Sequence, residues 1–274
     1  MIHTVKANGA EIPALGLGTW DLRGRTCERC VDFALGAGYR HIDTAAMYDN
    51  ETEVGNAVRA NSVPREDVFL TTKVWPEDAA DGDCQGSVEQ SLNRLGLDYV
   101  DLILLHWPNP NVPVRETMGA LSEVKARGLA RHIGVSNYTE ALLKGAVATS
   151  VEPVAVNQVE YHPYLDQTRV LETCRKHGVA LTAYSPLAKG RVFNDPVLKE
   201  IGEAHGKSAG QVTLRWLVQQ AGVTAIPRSS KPERIRSAFE IDDFVLTDDE
   251  MARINALASP RGRLVDLGFA PSWD

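Results

Sequence analysis

Two hydrophobic periods alternate along the whole chain, and that alternation constrains the fold more than any other feature. Short unbroken apolar runs read as buried strands at residues 15–17, 40–43, 68–73, 100–105, 132–135, 154–158, 179–184 and 223–226. Stretches of helical period lie between them, among them residues 27–38, 51–60, 86–95, 114–127, 140–148 and 169–177. Continuous apolar runs are what a parallel sheet covered on both faces requires. Strand followed by helix about eight times over 274 residues predicts an α/β chain folded as a closed (β/α)8 TIM barrel. The competing arrangement is an open doubly wound sheet. Before the first strand, Asn8-Gly9 separates His3-Thr4-Val5 from Glu11-Ile12-Pro13. Asn-Gly suits a two-residue turn in which both central residues need positive φ, so a β-hairpin is expected, capping the N-terminal end of the barrel. No linker or change of composition divides the chain, which reads as one domain over residues 1–274.

Charge excludes one class of partner. Lys and Arg number 29 against 36 Asp and Glu, a net charge of -7. Nucleic-acid proteins usually present a basic surface, so no nucleic-acid partner is expected, although a local cationic pocket for a phosphate remains compatible. Residues 1–10 lack the apolar core of a signal peptide. No run approaches the ~18 apolar residues of a membrane span. A cytoplasmic protein without a membrane partner is expected. The four cysteines are too few and scattered for a disulfide framework. Cys27 and Cys30 form a C-x-x-C, but no second pair follows to complete a zinc site, and ordinary packing is the favoured reading. Gly16-Leu17-Gly18 has two glycines of G-x-G-x-x-G and lacks the third, and no P-loop is present.

A barrel places its chemistry at the C-terminal ends of its strands. Those ends carry a distinctive set here. Asp43 ends the second run, with Tyr48 in the following loop; Lys73 ends the third and His106 the fourth. Ser136 and Asn137 follow the fifth, Asn157 and Gln158 end the sixth, Tyr184 and Ser185 the seventh, and Arg228, Ser229 and Ser230 follow the eighth. Singly, each has a plain structural explanation. Together, an Asp, a Lys and a His at one mouth would suffer desolvation costs of several kcal/mol if unpaired. A Lys–Asp pair beside a phenol has a chemical use. Tyrosine ordinarily ionises near ~10, and a neighbouring ammonium is expected to lower that value by stabilising the phenolate. Such a phenol is a proton donor for a carbonyl oxygen receiving a hydride, with His106 as a second donor.

Asp43-Thr44-Ala45-Ala46-Met47-Tyr48, Thr71-Thr72-Lys73-Val74-Trp75 and Leu104-Leu105-His106-Trp107-Pro108 resemble the tetrad motifs of the aldo-keto reductases. Gly18-Thr19-Trp20, Gly134-Val135-Ser136-Asn137, Asn157-Gln158-Val159-Glu160, Tyr184-Ser185-Pro186-Leu187 and Ile226-Pro227-Arg228-Ser229 match further motifs of that family, in order. The subgroup most resembled is the short bacterial 2,5-diketo-D-gluconate reductases, also described as methylglyoxal reductases. Its short tail is similar to Arg263-Leu264-Val265 with Ala270-Pro271-Ser272-Trp273-Asp274. The resemblance implies a monomeric NADPH-dependent oxidoreductase that reduces aldehydes and ketones. It implies Tyr48 as general acid, Lys73 and Asp43 tuning it, and His106 orienting the carbonyl. It further implies that Ser136, Asn137 and Gln158 hold the nicotinamide carboxamide, that Tyr184 stacks on the nicotinamide, and that Ser185 and Leu187 line the pyrophosphate path. Arg228, Ser229, Ser230 and Arg234 would receive the adenosine 2′-phosphate, at the start of a helix expected over residues 232–239. Ser237 and Ala238 stand where many members have Glu and Asn against the adenine. Trp20, Trp75 and Trp107, with Trp273 from the tail, would form an aromatic substrate rim.

Two other classes compete. A non-catalytic protein on the same fold, of the kind represented by potassium-channel β subunits and some lens crystallins, has no need of the complete Asp43, Tyr48, Lys73 and His106 set. A metal-dependent barrel hydrolase needs ligand pairs, and His41, His106, His132 and His162 do not show ligand spacing, so no metal is expected. The short connection from Trp107 to Val114, and about a dozen residues after Arg261, lead to the expectation of an open mouth suited to small, polar or activated carbonyls.

Overall fold

Asn8 and Gly9 both adopt positive φ, 43° and 89°, in the computed structural model, which describes residues 3–273. Met1, Ile2 and Asp274, within the expected domain and its tail motif, lie outside the described residues. The turn joins β1 (Thr4–Ala7) to β2 (Ala10–Pro13), whose residues pair antiparallel from Thr4 with Pro13 to Ala7 with Ala10. Val5, Ala7, Ala10 and Ile12 face inward and are buried. The Asn8 side-chain amide donates to the carbonyls of Val154 at 2.8 Å and His177 at 3.1 Å, just where two barrel strands begin. The hairpin therefore caps the N-terminal end of the barrel, as expected.

Eight parallel strands follow: β3 (Leu17–Gly18), β4 (His41–Asp43), β5 (Phe69–Val74), β6 (Val100–Leu105), β7 (Ala130–Ser136), β8 (Val154–Glu160), β9 (Ala180–Tyr184) and β10 (Val223–Ala225). Each pairs with its neighbour in chain order, without the reversal of an open doubly wound sheet. The first strand also meets the last. Leu15 bridges Ala225 in parallel, the N–H of Gly16 donates to the Ala225 carbonyl at 2.8 Å, and that of Gly18 to Pro227 at 3.0 Å. The seam needs a bare backbone, because a Cβ on Gly18 would lie 2.8 Å from the Ile226 carbonyl oxygen. Every residue of β5 and β6 is buried, the reason their apolar runs are unbroken.

Helices cover the outside: α1 (Gly24–Ala37), α2 (Glu51–Ala60), α3 (Asp83–Leu95), α4 (Val114–Ala126), α5 (Glu140–Thr149), α6 (Thr168–Lys176), α7 (Pro196–His205), α8 (Ala209–Gln219), α9 (Pro232–Phe239) and α10 (Asp248–Asn255). Among the described residues, no helix is long and apolar enough to cross a membrane. Cys27 and Cys30 are free and buried under α1, where burial first, and then nearby Glu53, push the Cys27 thiol up to about 12. Such a thiol is not a redox nucleophile, which leaves packing as the role of the C-x-x-C. β8 runs two residues past Gln158, to Glu160, and β7 begins at Ala130, ahead of His132.

Candidate active site

Adjacent parallel strands bring Asp43 and Lys73 together. β4 pairs with β5 so that Asp43 lies opposite Thr71, and the Lys73 side chain reaches back across the ladder. Its Nζ donates to Asp43 Oδ1 at 2.5 Å and to the Thr44 carbonyl at 2.8 Å. The other carboxylate oxygen accepts from Gln158 Nε2 at 2.7 Å, across the barrel. Both charged side chains are buried to 1% exposure or less. A buried ion pair is tolerated when each member is matched in this way.

Tyr48 is delivered by the loop after β4. Residues Ala46–Tyr48 make one 3₁₀ turn, and Asp49 takes a left-handed φ of 53°. Buried Asn50 ties the loop down: it accepts from Thr44 Oγ1 at 2.7 Å and donates to the carbonyls of Thr19 and Leu22, both at 2.9 Å. The phenol oxygen then lies 3.4 Å from Lys73 Nζ. The Tyr48 ring meets His106 edge-on at 5.6 Å, and Trp75 meets His106 edge-on at 5.2 Å. The expected downward shift of the phenol is reversed. Burial, and then the Asp43 carboxylate, hold Tyr48 well above 10, because the Lys73 ammonium is matched by Asp43 and the Thr44 carbonyl. The phenol is therefore protonated at neutral pH. Burial and then the charge of Lys73 push His106 well below 6.5, so its imidazole is neutral there, and its buried Nδ1 has no protein partner.

The residues expected around a dinucleotide fall along the ends of β7 to β10. Ser136 Oγ donates to the Gln158 carbonyl at 2.8 Å; Asn137, left-handed at φ 63°, donates to the His106 carbonyl at 3.0 Å and accepts from the Tyr184 hydroxyl at 2.8 Å. Ser136, Asn137, Gln158 and Tyr184 thus form one cluster beside His106. Ser185 is also left-handed, at φ 48°, and Leu187 follows it into a 3₁₀ segment. Farther out, Ser229 Oγ accepts from the Lys231 N–H at 3.1 Å, while Ser230 and Arg234 are exposed. Arg228 is engaged: its guanidinium donates to the carbonyls of Trp20 at 3.1 Å and Asp21 at 2.7 Å and pairs with the Asp21 carboxylate at 3.3 Å. It joins the loop after β3 to the loop after β10. Lys231, immediately before α9, adds a cation to this end that the strand-end reading did not single out.

A model of the aldo/keto reductase family matches residues 14–259. The chain is an aldo-keto reductase. It is similar to methylglyoxal reductase DkgB of Escherichia coli O157:H7, 40% identical over 266 residues that cover 96% of this chain and 99% of the relative. A crystal structure provisionally assigned as a 2,5-diketo-D-gluconic acid reductase B is 50% identical and superposes with a TM-score of 0.98, over 100% of this chain and 98% of that one. The aldo-keto reductase of Bombyx mori, solved in complex with NADP, is 33% identical with a TM-score of 0.89, over 96% and 95% of the two chains. An aldo-keto reductase is an enzyme of the oxidoreductase class.

The mouth of this aldo-keto reductase is less open than its short loops lead one to expect. Trp20 is 58% exposed and Trp75 half-buried, but Trp107 is only 3% exposed. The tail roofs it: Phe269 meets Trp107 edge-on at 5.7 Å and Trp75 at 5.9 Å, and Trp273 meets Trp107 at 6.0 Å. Phe269 and the half-exposed Met47 were not singled out from the sequence. Met47 lies inside a quoted motif and could have been found there. Phe269 sits in a tail without periodicity, where no local signal marks it.

Proposed function

We propose that this aldo-keto reductase reduces small aldehydes and ketones to alcohols with NADPH, Tyr48 serving as general acid. The observation that carries the reading is the gathering of Tyr48, Lys73, Asp43 and His106 within contact distance at the C-terminal end of the barrel. A phenol held protonated is in the right state to donate. Its proton moves from Oη to the carbonyl oxygen as that oxygen becomes an alkoxide. The ammonium of Lys73 stands beside the phenol oxygen to stabilise the phenolate that forms, and Asp43 holds the ammonium in place. Neutral His106 donates a second hydrogen bond to the same oxygen, orienting the carbonyl.

The donor set fits NADPH: buried hydroxyl and amide groups near His106, exposed cations and hydroxyls at the far end, and an unpartnered imidazole nitrogen at the inner end. When bound, NADPH supplies the hydride. Ser136, Asn137 and Gln158 hold its carboxamide, Tyr184 presents a ring to the nicotinamide, and Ser185 and Leu187 line the pyrophosphate path. Ser229, Ser230 and Arg234 receive the 2′-phosphate, with Arg228 fixing the loop that carries them. The NADP-bound Bombyx mori relative supports this choice of cofactor. Charge-assisted bonds to phosphate are worth roughly 1.5–3 kcal/mol each. Arg234→Ala is therefore expected to weaken NADPH binding by about tenfold or more, leaving NADH within about twofold. Fluorescence titration with both cofactors measures it, and equal losses for the two would reject the 2′-phosphate role.

Methylglyoxal and diketo sugar acids are the substrates we infer, supported by the names of DkgB and of the diketogluconic acid reductase. Trp20, Trp75 and Phe269 line the approach, with Trp107 buried beneath Phe269. The test is kcat/KM with NADPH across methylglyoxal, 2,5-diketo-D-gluconate, 4-nitrobenzaldehyde and a ketosteroid. The first three are expected to exceed the steroid. A steroid preferred by ~10-fold, about 1.4 kcal/mol of differential transition-state binding, overturns the assignment.

A further inference from the structure

Glu160 ends β8 fully buried, and none of the roles above uses it. A buried carboxylate has to be matched by donors, and three converge on this one. His162 Nε2 donates to Oε1 at 2.8 Å, the backbone N–H of Leu264 donates to Oε1 at 2.8 Å, and that of Val265 to Oε2 at 2.9 Å. Two of the three come from the C-terminal tail. Otherwise the tail is held through its side chains: Leu264 packs against the core, Phe269 and Trp273 meet Trp75 and Trp107, and Trp273 Nε1 donates to Asp266 Oδ1 at 2.9 Å. Residues 264–273 contain no helix or strand, and the Ala270 N–H bonds only locally, to Leu267. Lys189 Nζ reaches the Leu264 carbonyl at 3.3 Å from an exposed position. Immediately upstream the chain lies flat on the loop after β8: the Ser259 N–H donates to the Tyr164 carbonyl at 3.1 Å, and a Cβ on Gly262 would collide with that same carbonyl.

The tail carries Phe269 over Trp75 and Trp107, and Trp273 against Trp107, with the Arg263 guanidinium 3.6 Å from the Trp273 ring centre. We propose that Glu160, oriented by His162, is a positioning residue whose carboxylate clamps the Leu264 and Val265 amides and so sets Phe269 and Trp273 as a wall for the part of a substrate beyond its reacting carbonyl. The proposal rests on the reading of this mouth as a carbonyl-substrate site. A carboxylate accepting from backbone N–H groups makes strong, directional bonds, and a wall fixed before binding avoids the ordering cost of a loose segment. The carbonyl itself meets Tyr48 and His106, which Glu160 does not touch. The clamp therefore acts on substrates long enough to reach the tail and leaves the shortest ones alone.

The test compares wild type with Glu160→Ala, Glu160→Gln and Val265→Pro; the last deletes one tail donor, keeps the Arg263–Leu264 bond cleavable, and leaves Glu160 and His162 in place if the buried substitutions fail to fold. Two readouts are taken: kcat and KM for methylglyoxal and 4-nitrobenzaldehyde, and the rate of trypsin cleavage after Arg263, followed by mass spectrometry. Losing an aromatic wall is expected to raise KM for 4-nitrobenzaldehyde by about tenfold. KM for methylglyoxal and the Kd for NADPH stay within about twofold, cleavage after Arg263 becomes faster, and Glu160→Gln, which keeps an oxygen acceptor, falls between. Wild-type cleavage with an unchanged KM ratio, or an equal rise in KM for both aldehydes, overturns the clamp. The cleavage arm needs no substrate, and wild-type turnover of methylglyoxal tests the carbonyl-reductase reading separately, so the two failures are distinguishable.

Discussion

Tyr48→Phe is expected to lower kcat for NADPH-dependent aldehyde reduction by ~10²-fold or more, the usual scale for losing a positioned general acid. The variant removes one oxygen and little else. The ring keeps its edge contact with His106, and Lys73 Nζ remains 4.9 Å from its centre. Lys73 stays bound to Asp43 and the Thr44 carbonyl, so no buried charge is left unpaired and the fold is retained. The phenol has no bond to Ser136, Asn137, Gln158 or Tyr184 in the cluster that would hold the nicotinamide, so the Kd for NADPH is expected within about twofold of wild type. Deuterated NADPH reports whether chemistry limits the rate. A variant with wild-type kcat and a full isotope effect would remove Tyr48 from the acid role.

Lys73→Met attacks both activity and stability. Truncating one partner of a buried ion pair leaves the other as an unmatched charge, which costs about 3–5 kcal/mol. For a chain of this size that is a fall in Tm of roughly 5–10 °C. Gln158 still donates to Asp43, but one neutral donor does not replace an ammonium at 2.5 Å. Activity should fall by ~10²-fold or more, since nothing then stabilises the phenolate. Adding Asp43→Asn discharges the site. The double variant is expected to recover most of the Tm and none of the kcat, because stability needs only matched groups whereas proton donation needs the ammonium. Scanning calorimetry with steady-state kinetics measures both. A single variant that melts with wild type, or a double variant that regains activity, contradicts the assigned roles.

Much of this molecule is legible in its linear order. α2 and α9 occupy the spans that their apolar spacing marks, and β6 spans the whole of its run. Element ends are less legible. α1 starts at Gly24, ahead of the apolar spacing, because Arg23 caps it with no side-chain bond that the sequence could announce. α3 starts at Asp83, where Gln85 Oε1 accepts from the Gly82 N–H, a capping contact without Ser, Thr, Asp or Asn at its head. Behind the site, buried Glu51 accepts from Thr72 Oγ1 at 2.5 Å and Arg94 Nε at 2.7 Å, bracing the residue next to Lys73. In sequence it is one more acidic residue in the first turn of a helix.

The sequence by itself determined the barrel, its hairpin cap and the strand ends at which polar residues collect. Those follow from local rules: apolar runs must be buried, Asn-Gly turns a hairpin, and each strand has one end facing the site. The tertiary structure decided what those residues do to one another. Whether Lys73 lowers the Tyr48 phenol depends on how far its charge is already matched; here burial, and then the Asp43 carboxylate that holds Lys73 at 2.5 Å, turn the expected shift upward. Whether Arg228 is free depends on the loop after β3, more than two hundred residues away in sequence, which supplies two carbonyls and a carboxylate. Whether the mouth is open depends on a tail without periodicity, fastened to a carboxylate 104 and 105 residues upstream. Burial and charge compensation are sums over everything nearby in space. Their sign is not local, so no spacing along the chain reveals it.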